Sequence, residues 1–158
     1  TLISENTASS EGGGAYIANM WAQTFTNVTM ANNIADHGGG FEAGVVSQPT
    51  IFKNCIIYDN TPNDHPQQSA TTTYSNIGGG FSGTGNIDTD PLFVDSDNGD
   101  YNLEWGSPCI DTGDPTDTDP DGTRADMGAY YYNQTEGCTD PTALKCNPNA
   151  GVEDGSCE

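Results

Sequence analysis

Three asparagines, Asn6, Asn33 and Asn60, stand 27 residues apart, and the chain around them repeats in step. Phe25 and Phe52, Asn27 and Asn54, Val28 and Cys55, and Met30 and Ile57 keep the same 27-residue offset, and Ile3 joins the last register. The triplets Gly12-Gly13-Gly14 and Gly38-Gly39-Gly40 lie 26 residues apart. A fixed period in the twenties, made of short β-rich runs without a helical pattern, predicts a solenoid. In such a fold each unit buries its apolar face on its neighbours. "FTNVTM" and "FKNCII" alternate as strands with one buried face do. The Asn column predicts a ladder of stacked side-chain amides that supply partners for turn backbone removed from water. The glycines suit a corner with positive φ or a close approach of backbones.

Composition narrows the function classes. Of 158 residues, three are Lys or Arg and 23 are Asp or Glu, giving a formal net charge of −20. A basic nucleic-acid-binding surface is excluded, because nothing could neutralise phosphates. Anionic membrane surfaces are disfavoured for the same reason, and no stretch is long enough to span a bilayer. A charge of this size weakens a compact state by self-repulsion, and bound cations are the expected remedy. Residue 1 already falls inside the first repeat and no signal peptide is visible, so the expectation is a segment of a longer polypeptide or a processed chain.

The repeats carry a resemblance. "GGGAYI", "FTNVTMANNIADHGGGF" and "FKNCIIYDN" resemble the coils of right-handed parallel β-helix proteins of the pectate-lyase-like superfamily. The run from Tyr74 to Pro115 and "DPDGTRADMGAYYY", Asp119 to Tyr132, resemble the C-terminal end of a bacterial secreted β-helix group. Tyr131 departs from that group, which often has Glu there. "GCTDPTALKCNPNAGVEDGSC", Gly137 to Cys157, resembles a short Cys-containing repeat of secreted Bacteroidetes proteins, one that often precedes a sorting domain for type IX secretion. Cys146 departs from that repeat, which commonly has an aromatic. The expected fold is therefore all-β: a right-handed parallel β-helix of about four coils over residues 1–132, with a capping region near 88–132. A linker at 133–136 and a disulfide-stapled appendage at 137–158 would follow.

Five cysteines, Cys55, Cys109, Cys138, Cys146 and Cys157, include no CxxC pair, and His37 and His65 lie far from them in sequence, which argues against a zinc site. Disulfides in an oxidising, extracellular setting fit better. Cys138 is expected to pair with Cys157, because a unit of about twenty residues needs a staple. A bridge from Cys55 to Cys109 would tie the last coil to the cap, the alternative being two buried free thiols. Cys146 is left over, and spacing does not assign connectivity.

Asp117, Asp119 and Asp121 before Gly122 form D-x-D-x-D-G, with Asp111, Asp114 and Asp126 flanking them. Alternate carboxylates before a sharp Gly turn can converge on a cation, so structural calcium is expected on Asp114, Asp117, Asp119, Asp121 and Asp126. No Glu stands at loop position 12, so the loop is not an EF-hand. Arg124 is expected to pair with one of these acids.

No catalytic set is recognisable. A lyase of the resembled superfamily needs a Lys or Arg base, and Lys53, Arg124 and Lys145 are the candidates. A hydrolase needs two carboxylates, and Asp36, Glu42, Asp59 and Asp64 form no pair by register. Trp21, Tyr16 and Phe41 could line one face as a sugar platform, with Trp105 elsewhere. The expectation is a non-catalytic extracellular module: a stalk, adhesin or glycan-binding scaffold, with a polysaccharide or cell-surface glycan as partner and self-association open. The alternatives are the C-terminal part of a polysaccharide lyase or glycosidase whose site lies upstream, and a subunit of an extracellular filament.

Overall fold

The 27-residue spacing is realised as parallel strand pairing. The computed structural model describes residues 1–18, 21, 23–44, 48–64, 70–140, 142–143, 150–153 and 155–157. Cys146, Lys145 and His65 lie outside the described residues. The first unit holds β1 (Leu2–Ser4), β2 (Ala15–Ile17) and β3 (Thr24–Thr26). The second holds β4 (Thr29–Ala31), β5 (Phe41–Ala43) and β6 (Thr50–Lys53). Next come β7 (Ile56–Tyr58), β8 (Ala70–Thr73) and β9 (Asn76–Ile77). Equivalent strands pair in parallel: β1-β4-β7-β9, β2-β5 and β3-β6-β8. Ile3 lies opposite Met30, and Met30 opposite Ile57. The described fold is all-β, and its helical content is one short 3₁₀ turn at Ser96–Asn98.

The asparagines lock this register. Asn6 donates from both its backbone N and its Nδ2 to Asn33 Oδ1, at 3.1 and 2.9 Å. Asn33 does the same to Asn60 Oδ1, at 3.0 and 2.9 Å. The Nδ2 of Asn33 also reaches the Ile3 carbonyl at 2.9 Å, and that of Asn60 reaches the Met30 carbonyl at 2.9 Å. The residue before each ladder position, Glu5, Asn32 or Asp59, has φ of 59°, 56° or 57°, so one left-handed corner recurs unit after unit. The next unit is shorter: Ile57 pairs with Ile77, and no asparagine follows in the column. Asp64 ends the ladder instead, its Oδ1 accepting Asn60 N at 2.7 Å and Asn60 Nδ2 at 2.6 Å. A second series runs alongside: Cys55 N donates to Ser75 Oγ, and Ser75 N to Asn86 Oδ1.

Side chains from all three stacks meet in one apolar cluster. Met30, Ile57 and Ile77 come from the first stack, Phe41 from the second and Phe52 from the third. Phe52 stacks on Phe25 at 5.0 Å and meets Phe41 edge-on at 5.1 Å. The middle glycines of the triplets sit where backbones touch. A Cβ on Gly13 would come within 2.5 Å of the Gly39 carbonyl oxygen, and one on Gly39 would strike the Thr61 backbone.

Strand side chains alternate, so Ile56 faces away from that cluster while Ile57 enters it. Ile56 instead packs with Leu103, Cys109 and Met127. The region from 88 to 132 builds this second cluster, including the antiparallel hairpin of β10 (Phe93–Asp95) and β11 (Asp100–Leu103). Expected as a cap beyond the last unit, it lies along the outward face of β1-β4-β7-β9. Tyr101 Oη donates to Glu5 Oε1 and accepts from Asn32 Nδ2, Ala129 N donates to Thr29 Oγ1, and Gly128 N donates to the Asn54 carbonyl. These contacts reach three successive units. Gly128, at φ 101°, permits the approach, since a Cβ there would sit 2.7 Å from Ile56 Cδ1. In the appendage, β12 (Glu136–Gly137) pairs in parallel with β13 (Val152–Glu153). Among the described residues, no helix is long and apolar enough to cross a membrane.

Asn33 is fully buried and each of its polar atoms serves two partners, whereas Asn6 is exposed at the ladder's outer end. Urea denaturation of Asn33→Ala is expected to show a loss of about 3 kcal/mol, and of Asn6→Ala about 1 kcal/mol or less.

Candidate functional site

The acidic stretch from Asp111 to Asp126 is distributed among partners and does not gather at a point. Asp114 turns Oδ1 onto the N and Oγ1 of Thr116, at 2.8 and 2.7 Å, and Oδ2 onto Lys53 Nζ at 3.0 Å. The Thr116 amide and hydroxyl, with Lys53 beside them, hold its carboxyl down to about 2. Asp117 Oδ2 meets the same Lys53 Nζ at 2.9 Å and accepts Asn54 Nδ2 at 3.0 Å. Asn54 Oδ1 accepts the Asp114 backbone N at 2.7 Å, so Lys53 and Asn54 together grip the loop. Asp117 and then Asp114 raise the Lys53 ammonium above its ordinary value.

The other acids hold backbone. Asp119 Oδ2 accepts Asp126 N at 2.7 Å. Asp121 Oδ1 accepts the N and Oγ1 of Thr123, and its Oδ2 accepts Gln134 N at 2.8 Å. Burial raises the Asp121 carboxyl, but these donors outweigh it and the net displacement is downward. Asp126 is 2% exposed, with Oδ1 accepting Asp111 N at 2.7 Å and Oδ2 accepting Tyr132 N at 2.6 Å. Burial pushes its carboxyl up to about 6; the charges of Asp119 and Asp111 add to the rise, against those two donors.

The five acids expected to hold calcium are spread over several partners. Among the described residues, no three of Asp114, Asp117, Asp119, Asp121 and Asp126 bring oxygens within 4.8 Å of one another. Two buried oxygens nearby, Asp111 Oδ1 and Gln134 Oε1, accept no hydrogen bond. Calcium takes six to eight oxygen ligands, and these five carboxylates are each engaged with protein donors in this arrangement. Arg124 also departs from expectation. Its Nε and Nη2 donate to the Gly113 carbonyl, and Nη2 to that of Thr112, while its guanidinium lies 6.0 Å from the centre of the Tyr74 ring.

The cysteines divide as well. Cys138 and Cys157 form a disulfide. The bridge expected between Cys55 and Cys109 is not made, and both are buried free thiols. The reason is the strand alternation: Cys55 enters the cluster between the stacks and Cys109 the cluster outside them. Cys55 Sγ donates to the Lys53 carbonyl at 3.2 Å, and Cys109 Sγ accepts from Asn76 Nδ2 at 3.2 Å. Burial pushes both thiols up to about 11, which removes thiolate reactivity at neutral pH.

The candidates for chemistry are placed apart. Lys53 is held by two aspartates, and Asp64 terminates the ladder. Trp21 is 79% and Trp105 75% exposed, but Phe41, grouped with Trp21 in sequence, is buried in the core. A groove of about 540 Å³ runs between β8 and the segment from Phe81 to Thr84. Its lining combines the hydroxyls of Thr71, Thr73, Ser82 and Thr84 with the apolar Ala70 and Phe81 and carries no charged side chain. Sequence reasoning missed the roles of Asp64 and Asn54. Asn54 had a signal, its 27-residue partner Asn27, whereas Asp64 falls outside the repeat.

Against known proteins, the chain gives no match to a family model, to a curated protein or to a solved structure.

Two carboxyls set opposite pH dependences. Asp126 has a raised value in the fold, so its contribution to stability falls as pH rises from the ordinary 3.8 through about 6. Asp114 has a lowered one, so its contribution is present above 3.8 and lost as pH falls through about 2. Urea midpoints measured across this range are expected to peak near about pH 4, with the neutral-side slope reduced in Asp126→Asn. In the native state Cys55 and Cys109 are expected to resist a thiol reagent, and to react only at the rate of global unfolding, as mapped by peptide mass spectrometry.

Proposed function

We propose that this chain is a non-catalytic, right-handed parallel β-helix module of a secreted or cell-surface protein. The parallel stacks, their shared core and the ladder support closing each 27-residue unit into one coil. The module acts as a rigid spacer or scaffold along its stacking axis. The observation that carries this reading is the cover over β1-β4-β7-β9. Residues 88–132 occupy that outward face, and the strand lysine that could serve as a base is neutralised by Asp114 and Asp117. A lyase base must be free to take a proton from substrate. Lys53, raised and doubly paired, is poorly suited to that.

The Cys138–Cys157 bridge supports an oxidising, extracellular setting. The net charge of −20 repels polyuronates, and the uncharged groove beside β8 favours neutral glycans as surface partners. Incubating the chain with a panel of neutral and acidic polysaccharides, with and without calcium, is expected to release no new sugar ends. Cleavage by the chain that disappears in Lys53→Met contradicts the proposal.

A further inference from the structure

Two aromatic rings from separate turns meet at the surface of the cover. Trp105 stands at the tip of the turn at 104–107, which Ser107 N closes on the Glu104 carbonyl at 3.0 Å and Gly106 shapes at φ 90°. Ser107 Oγ anchors that turn on the Pro91 carbonyl at 2.6 Å. Tyr132 is set from the other side, its backbone N donating to Asp126 Oδ2 at 2.6 Å. The ring centres lie 6.1 Å apart with their planes at 50°, so the rings form an open wedge. Trp105 leaves 75% of its surface in water, so burial is not what this tryptophan supplies to the fold.

Negative charge gathers behind the tyrosine wall. Asp126 holds Tyr132 N, Asp121 holds Gln134 N at 2.8 Å, and Asp111 accepts Gln134 Nε2 at 3.1 Å. Asp119 joins them through Asp126 N. Asp111 Oδ1 and Gln134 Oε1 are buried there and accept no hydrogen bond. The basic side chains are committed elsewhere: Lys53 to Asp114 and Asp117, and Arg124 to the carbonyls of Thr112 and Gly113 and to the Tyr74 ring. Among the described residues, no ion pair reaches Asp111, Asp119, Asp121 or Asp126. An aromatic face attracts a cation through its quadrupole, tryptophan most strongly, and nearby carboxylates add to that attraction.

We propose that the wedge of Trp105 and Tyr132 binds the quaternary ammonium group of a small solute. Such a group has no N–H to satisfy and is met by ring faces alone, whereas a primary ammonium is strongly hydrated and keeps its water. An anionic ligand is repelled by the chain's net charge of −20, and a neutral sugar gains nothing from the acids. A phosphocholine lipid headgroup brings a phosphate towards the same acids, which favours the free solute.

The test uses the full chain and follows its two indole Nε1–H signals by NMR as choline is added, with Trp105→Leu assigning the peaks. Choline is expected to shift the Trp105 signal saturably and to leave that of Trp21, 79% exposed, in place. The alcohol in which a tert-butyl group replaces the trimethylammonium of choline is expected to bind about fivefold more weakly or worse. Added salt is expected to weaken choline binding. Because Trp105 is exposed, Trp105→Leu is expected to fold, and in it the Tyr132 backbone amide no longer responds to choline. Phosphatidylcholine vesicles are expected not to retain the chain. A Trp105 signal that choline leaves unmoved, or moves no more than that of Trp21, overturns the assignment. So does equal binding of the neutral isostere, which reports an apolar contact alone, or tighter binding of methyl glucoside, which reports a sugar platform. Retention on the vesicles without a response to free choline also overturns it.

Discussion

A buried side-chain amide needs partners for one oxygen and two N–H donors, and Asn33 finds them only when the units before and after it lie in register. Its oxygen takes two donors from Asn6, and its own donors go to Asn60 and to the Ile3 carbonyl. An orphaned donor or acceptor at such a site costs about 1–3 kcal/mol, so slippage of one unit is penalised at every rung. That penalty is what lets strands of only two to four residues stack in parallel at all. Hydrophobic contact between Met30, Ile57 and Ile77 supplies attraction, but attraction of that kind is non-directional and does not choose a register. The ladder chooses it, and Asp64 brings it to a close where the following unit is shortened.

Register at the ladder then dictates both faces of the first stack. With Ile57 turned inward, Ile56 and Thr29 turn outward, and the outward face needs a cover. Residues 88–132 supply it, and their acidity is part of how they are held. Asp114 and Asp117 reach back to Lys53 and Asn54, sixty or more residues earlier. The remaining acids satisfy backbone N–H groups of turns that no strand partner serves. A carboxylate accepts several such donors at once, which explains why a loop without regular structure carries so many. The same arrangement places backbone amides beside part of the chain's negative charge, at Asp114, Asp119, Asp121 and Asp126.

The repeat was legible because periodicity maps directly onto parallel pairing. The predicted columns through Ile3, Met30 and Ile57 and through Phe25 and Phe52 are the observed registers. The ladder was legible because only stacked amides require an asparagine at a constant interval. The acidic loop was not. D-x-D-x-D-G specifies carboxylates at alternate positions but not which donors they will face, and those donors, Asn54 and the amides of Asp111, Tyr132 and Gln134, come from other segments. The Cys55–Cys109 pairing failed for a related reason. Sequence gives the strand phase of Cys55 but says nothing of which side of the sheet a distant irregular segment will take. The Cys138–Cys157 bridge was legible because a short loop leaves few partners.

Hydrogen exchange of the asparagine side-chain amides, followed by NMR, tests the ladder most directly. The account predicts that the Nδ2 protons of Asn33 and Asn60 exchange only through global unfolding, with the same free energy as the backbone amides of β4 and β7. Exposed Asn98, whose Nδ2 donates to exposed Asp95, should exchange far faster. If the Asn33 and Asn60 side-chain protons exchange as quickly as those of Asn98, the amides do not hold the register and the account fails.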